Sequence, residues 1–326
     1  MKHHLKPFVR KAAWLLGILF VLDFGLGSVL EFFFLREKQG DSSKTTYAVT
    51  GVTEDIVIFG SSRAAHHYVS ESITEATGMS CFNAGRDGMK LPYYYALMNI
   101  ILSYHTPKVI VLDLTYRELA PEARGKTLVA NVLLPYFDQR PVVEEVISEM
   151  DPAEAWKARF SKLYRFNSLP VSIIQHHLGI GQKHRNGYEP LSGTMDSSAV
   201  MVVNQAEEPY QEDPALVAML ESFIGRVTER GIRLYVFISP TLSTETRNCK
   251  RTVSRILKKH QMELYDYSGF LDVTDFRYFR DRGHLNDSGA RMFTDAILKE
   301  VIIPQGRRKE PEPPVPVQQA SDHPGK

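Results

Sequence analysis

At 326 residues, 43% apolar and 24% charged, with a formal net charge of +1, the chain is long enough to bury a full core and carries no excess of basic residues. No Lys/Arg run and no Gly-rich phosphate loop appears, so nucleic acid is not expected as a partner. The two cysteines, Cys81 and Cys249, lack metal-ligand spacing; a disulfide between them is one reading, and separate thiols, with Cys81 in a buried strand, are the preferred one.

Lys2, Lys6, Arg10 and Lys11 precede an apolar run at 12–35 that is broken by Asp23 and Glu31. At about 1.5 Å per residue such a run crosses a bilayer as a transmembrane helix. Its basic flank implies a cytoplasmic N-terminus and an extracytoplasmic remainder, periplasmic or extracellular, held as a single-pass signal-anchor in the cell membrane. A cleaved signal peptide competes, but the apolar stretch is long and no small-x-small cleavage site follows it. Asp23 reads as a carboxylate near an interface or paired with a partner helix rather than as a functional acid. Residues 37–46 are polar, with Gly, Ser and Lys, and are expected to form a linker. The chain then divides into flank, anchor and start of linker at 1–40, a folded domain at 41–303, and a Pro-rich tail at 304–326 that is expected to be disordered.

Ile56-Val-Ile-Phe59 is too short for a helix and reads as a buried strand, followed by a helix over 66–78. A second strand is expected within 80–88, a helix over 91–104 and a third strand over 107–114. Strand alternating with helix predicts an α/β fold with a parallel sheet. Residues 121–212 break the rhythm, with helices expected over 141–150, 152–163 and 169–178, and read as an insertion covering the sheet edge. The alternation resumes with a helix over 214–231, a strand over 233–239, a helix over 246–260, a short strand over 263–267 and an amphipathic helix over 287–301.

The first strand ends at Gly60 and delivers Ser61 and Ser62 into a strand-to-helix corner, the edge at which open α/β folds bind ligands and where helix N–H groups favour negative charge. A serine there is also an ordinary helix N-cap. Far along the chain, Asp281 and His284 stand three apart in a loop before the last helix. An imidazole acting as general base needs a carboxylate on its other nitrogen, and this spacing lets the aspartate fold beneath the ring. A surface histidine and a helix-capping aspartate are the plain alternatives.

Gly60-Ser-Ser62 after a strand, Asn83-Ala-Gly85 at the second strand end, and Asp281-x-x-His284-Leu-Asn-x-x-Gly289-Ala290 together resemble the SGNH/GDSL hydrolase superfamily. The variety most similar is membrane-anchored, like the D-alanyl-lipoteichoic acid transfer proteins and cell-envelope O-acyl esterases and transferases. The resemblance implies Ser62 as nucleophile, His284 as base and Asp281 as its orienting acid. It also implies a three-layer α/β/α fold of the flavodoxin-like kind, oxyanion and substrate contacts from Ser62, Gly85 and Asn83, and no metal or organic cofactor. Implied partners are an acylated glycan or envelope polymer as substrate, the membrane through the N-terminal helix, and a membrane-bound O-acyltransferase.

Two positions depart from the family pattern. Ser61 replaces the usual aspartate, and the Gly-x-Asn-Asp block after the third strand is absent, its place taken by Asp113-Leu-Thr-Tyr-Arg-Glu118. Tyr116 or Arg117 is the expected replacement donor, against the plain reading that Arg117 pairs with Glu118 or Asp113 on the surface; Arg63 either eases a nearby anion or is solvated. The expected function is an extracytoplasmic serine esterase or O-acyltransferase acting on acyl or acetyl esters of an envelope polymer. The alternative is a catalytically silent SGNH-like glycan-binding or scaffold protein. Tyr136, Phe137, Trp156, Tyr164 and Tyr188 in the insertion are expected to help wall the serine's cleft and favour transfer to a glycan; a packed core for the insertion is the plain alternative, preferred for Trp156.

Overall fold

The computed structural model describes residues 2–115, 117–121, 125–196, 211–242 and 247–306. Five short strands, β1 (Ile56–Phe59), β2 (Cys81–Asn83), β3 (Val109–Asp113), β4 (Arg233–Ile238) and β5 (Leu264–Asp266), form one parallel sheet in the order β2-β1-β3-β4-β5. Ile58 stands between Asn83 of β2 and Val111 of β3, so the order reverses beside β1, and crevices at such switch points hold ligands in open α/β sheets. The central strands β1 and β3 are nearly continuous Val, Ile, Leu and Phe because helices cover both faces.

Alternation along each strand divides the core in two. Val57, Phe59, Ile110, Leu112 and Val236 face one layer, built from α2 (Gly40–Thr50), α5 (Leu91–Leu102) and α10 (Pro214–Thr228) together with helices of the insertion. Ile56, Ile58, Val109, Val111 and Phe237 face the other, built from α3 (Ser62–His67), α4 (Ser70–Thr77) and α12 (Asp287–Ile297). The helix expected over 66–78 is thus two helices, broken at Tyr68 and Val69. Another helix, α11 (Arg247–Lys259), joins β4 to β5.

The insertion carries α6 (Lys126–Leu133), which periodicity alone did not mark, then α7 (Pro141–Met150), α8 (Pro152–Phe160) and α9 (Pro170–His177). Its later stretch passes the edge strand, where Asn83 N donates to Asn186 O at 2.9 Å. It then runs along α3, where Glu189 N donates to Ala65 O at 2.9 Å. Gly187 is required at that edge, since a Cβ there would lie 1.9 Å from Asn83 O.

One helix among the described residues, α1 (Lys2–Phe34), is long and apolar enough to cross a membrane. The segment expected as a linker is corrected: residues 40–50 are α2, which buries Ser43, Lys44, Thr45, Ala48 and Val49. Its polar residues are inside because each finds a partner, Ser43 Oγ donating to Gly40 O at 2.7 Å and Lys44 Nζ to Gly85 O at 2.8 Å. Cys81 is a free, buried thiol, whereas the Cys249 side chain and the tail at 307–326 lie outside the described residues.

Candidate active site

The corner after β1 depends on Gly60, where a Cβ would lie 2.6 Å from the Ala64 Cβ and 2.8 Å from Asp113 O. Ser61 is the N-cap of α3, its Oγ accepting from Arg63 N at 3.4 Å, and Ser62 opens the helix. The loop before α12 is set by Asn286, whose Oδ1 accepts from Gly289 N at 3.1 Å while its Nδ2 donates to Arg277 O and Gly193 O. These two anchors bring together groups 222 positions apart: Ser62 Oγ lies 2.7 Å from His284 Nε2. His284 Nδ1 in turn lies 2.9 and 3.0 Å from the two carboxyl oxygens of Asp281.

Burial alone raises the Asp281 pKa, but its bonds with the His284 side chain and the Gly283 N–H outweigh that and hold the carboxyl below its ordinary value. An ionised carboxylate only accepts, so Nδ1 of His284 carries the proton and the Nε2 lone pair faces the serine hydroxyl.

Ser62 and His284 line a cleft of about 250 Å³ at the carboxyl edge of β1 and β3. Three cations, Arg63, Lys90 and Arg117, contribute to its wall, and no carboxylate does so among the described residues. Arg63 is neither solvated nor on the surface: it is buried, with Nη2 donating to Leu114 O at 2.7 Å and Nε 3.8 Å from Asp113 Oδ2. Asp113 and Glu118, weighed as surface partners of Arg117, are both fully buried. Glu118 accepts from Leu91 N at 2.6 Å and Thr115 Oγ1 at 2.7 Å, and Lys90 Nζ donates to Thr115 Oγ1 at 2.9 Å. This buried carboxylate therefore joins the start of α5 to the loop after β3. Tyr116 lies outside the described residues.

Asn83 and Gly85 are not cleft groups, which corrects their expected place. Asn83 is fully buried and donates from Nδ2 to Ala64 O at 2.7 Å and Tyr68 O at 3.1 Å, fastening β2 to α3. The Gly85 N–H is taken by Asn83 Oδ1 at 2.9 Å, and a Cβ at this glycine would meet Ala65 N at 2.6 Å. Its residue type thus serves close packing against α3. The aromatic wall is corrected as well: Tyr136, Phe137 and Tyr188 are buried, Trp156 is exposed, and none of these or Tyr164 lines the cleft.

Residue patterns did not reveal a second, buried chain beneath the histidine loop. Leu285 N donates to His67 Nε2 at 3.0 Å, which leaves the proton on Nδ1 to reach Ser239 Oγ at 3.1 Å. Ser239 Oγ donates to Asp113 Oδ2 at 3.2 Å, and Asp113 Oδ1 accepts from Tyr68 OH at 2.8 Å and Ser239 N at 2.9 Å. Burial raises the Asp113 pKa against the opposing pull of Arg63, Tyr68 and Ser239. Burial drives the His67 pKa well below its ordinary value, and the Arg63, His284 and His66 charges add to it. The one signal available in the sequence was position, since Asp113 and Ser239 are polar residues at strand ends on the edge that holds Ser62.

Beside the triad-like group, His66 Nε2 lies 3.2 Å from Asp87 Oδ1, and Glu189 completes a cluster of possible metal donors. The cluster is a poor fit for a cation because Lys44 Nζ already stands 2.7 Å from Glu189 Oε1.

No family model and no curated protein matches the chain. Among solved structures, a protein from Streptococcus pneumonia, provisionally named a platelet activating factor, is 10% identical with a TM-score of 0.42 over 89% of this chain and 98% of that one. An acetyl xylan esterase, AlAXEase, is 14% identical with a TM-score of 0.37 over 76% of this chain and 100% of that one. At these scores neither neighbour bears on the chemistry, which rests on the site itself.

Proposed function

We propose that the chain is a membrane-anchored serine ester hydrolase of the SGNH kind, acting outside the cytoplasm on acyl or acetyl esters of an anionic cell-envelope polymer. The observation that carries this reading is the 2.7 Å approach of Ser62 Oγ to His284 Nε2, with Asp281 on the opposite ring nitrogen. Ser62 Oγ attacks the ester carbonyl as its proton passes to Nε2, and Asp281 stabilises the imidazolium. His284 then returns the proton to the departing alcohol as the C–O bond breaks, leaving an acyl-serine. Water, deprotonated by His284, releases the acid and restores the hydroxyl. The backbone N–H of Ser62 and the cations Lys90 and Arg117 are the proposed partners of the developing oxyanion, in place of the absent asparagine. The same cations favour a phosphate- or carboxylate-bearing polymer over a neutral one.

Hydrolysis is preferred to transfer because no described residue of the insertion lines the cleft, where it would help to exclude water. The test is labelling of the full chain by a fluorophosphonate, with peptide mapping, followed by turnover of acylated anionic and neutral glycans. Label on Ser62 and acid release from the anionic set are expected. A folded protein that takes no label and turns over nothing would instead be a silent glycan-binding or scaffold domain. Diversion of the acyl group to added glycan would make it an O-acyltransferase, with a membrane-bound O-acyltransferase as the natural acyl donor.

A further inference from the structure

The helix α1 crosses a membrane only if its distal half is immersed. From Ala12, the first residue past the basic flank, to Asp23 is about 17 Å at ~1.5 Å per residue, little over half of a ~30 Å hydrocarbon core. The remainder must come from residues 23–34, and on that stretch the insertion is seated. Gly27 and Phe34 are buried there, with Asp23, Leu30 and Glu31 partly so, a stripe at helical spacing. Gly27 permits the approach, since a Cβ would lie 2.8 Å from Leu163 N. Phe34 packs against Tyr136 and Phe166 with ring centres at 5.4 and 5.7 Å.

Both acids of the apolar run find partners in the same turn. Asp23 accepts from Ser161 Oγ and, at 2.8 Å, from Lys162 N, while Lys162 Nζ stands 2.7 Å from Glu31. Ionisable side chains and non-helical backbone survive at membrane depth when protein partners satisfy them in this way. Around that contact the insertion exposes large apolar side chains: Trp156 and Phe160 one turn apart on α8, and Val171, Ile174 and Leu178 along one face of α9 and its end. They continue the exposed apolar surface of Phe24, Val29, Phe32 and Phe33 on α1, with Phe33 edge-on to His177 at 5.4 Å.

We propose that the 161–166 turn and the exposed faces of α8 and α9 lie in the bilayer, in the leaflet crossed by the distal half of α1. Their occupant is lipid, and the insertion is a membrane-seated platform rather than a lid. This rests on the reading that α1 spans the membrane.

The two tryptophans of the chain, Trp14 and Trp156, allow both readings to be tested separately. Full-length Trp14→Phe protein, reconstituted in phosphatidylcholine vesicles, reports Trp156 alone; Trp156→Phe protein reports Trp14. Lipids brominated along their acyl chains are expected to quench most of the emission in both variants, with little quenching of Trp156 by aqueous acrylamide. Quenching of Trp14 alone, with Trp156 open to acrylamide, would overturn the embedding and leave the anchor. Loss of lipid quenching at both positions would overturn the anchor itself. Trp156 that is lipid-inaccessible in native membranes yet shielded from acrylamide would replace lipid by a protein partner, and the proposal would fall.

Discussion

Ser62 and Ser61 are neighbours with separate duties, and substitution distinguishes them. Ser62→Ala is expected to abolish fluorophosphonate labelling and ester turnover. Ser61→Ala, which removes an N-cap accepting from Arg63 N, is expected to cost about 1 kcal/mol of stability and keep most activity, read by melting and steady-state assay. Asp281→Asn preserves shape but frees the histidine to take the wrong tautomer, so kcat should fall by about 10⁴-fold without a change in melting temperature. His67 gives a pH-dependent stability. Its folded pKa is depressed, so the unfolded chain binds the proton more readily; its contribution is complete above the ordinary value near 6.5 and is lost as pH falls below it, by at most about 1.4 kcal/mol per pH unit. Burial opposes but does not outweigh the pull of Asp87 on His66, whose raised pKa acts in the other sense: its stabilisation is present below about 6.5 and lost as pH rises. Melting of wild type against His67→Gln from pH 7.5 to 5.5, about the ordinary histidine value, isolates the first effect: the wild type should lose stability faster on acidification.

Among the elements, α2 joins the anchor side of the molecule to the loop after β2. Buried Lys44 reaches Gly85 O and Glu189, and burial raises the Glu189 pKa although Lys44 opposes it. Lys44→Met would strand that carboxyl and is expected to cost about 3–5 kcal/mol, whereas Lys44→Met combined with Glu189→Gln should recover much of the loss in denaturant melts. The strands at 56–59, 109–113 and 233–238 were legible because short, largely apolar runs of β-branched and aromatic residues carry their burial in their composition. In α2 the signal was hidden: Ser43, Lys44 and Thr45 are buried through hydrogen bonds, and apolar periodicity does not register a helix of that kind. The meeting of Ser62 with His284 was legible through the resemblance of whole motifs, not through either residue. The link from Leu285 through His67 and Ser239 to Asp113 was not legible, because its members come from separate elements and each passes for an ordinary core or strand-end residue.

At the scale of the whole molecule, a reporter active only outside the cytoplasm, fused after Lys326, is expected to work, and cytoplasmic activity would reverse the proposed topology. Gly27→Val should force α1 off the 161–163 turn, lowering the melting temperature of the detergent-solubilised chain while leaving Ser62 labelling intact at low temperature. Only residues 35–39 separate α1 from α2, and Gly40 N, at the first residue of α2, donates to Gln182 O at 2.8 Å. A chain anchored through α1 therefore has no tether. On the proposed function, Ser62 would work at one fixed height above the lipid and could not range through the envelope, so the polymer's thickness and the position of its acyl groups along each strand would decide which esters are ever within reach.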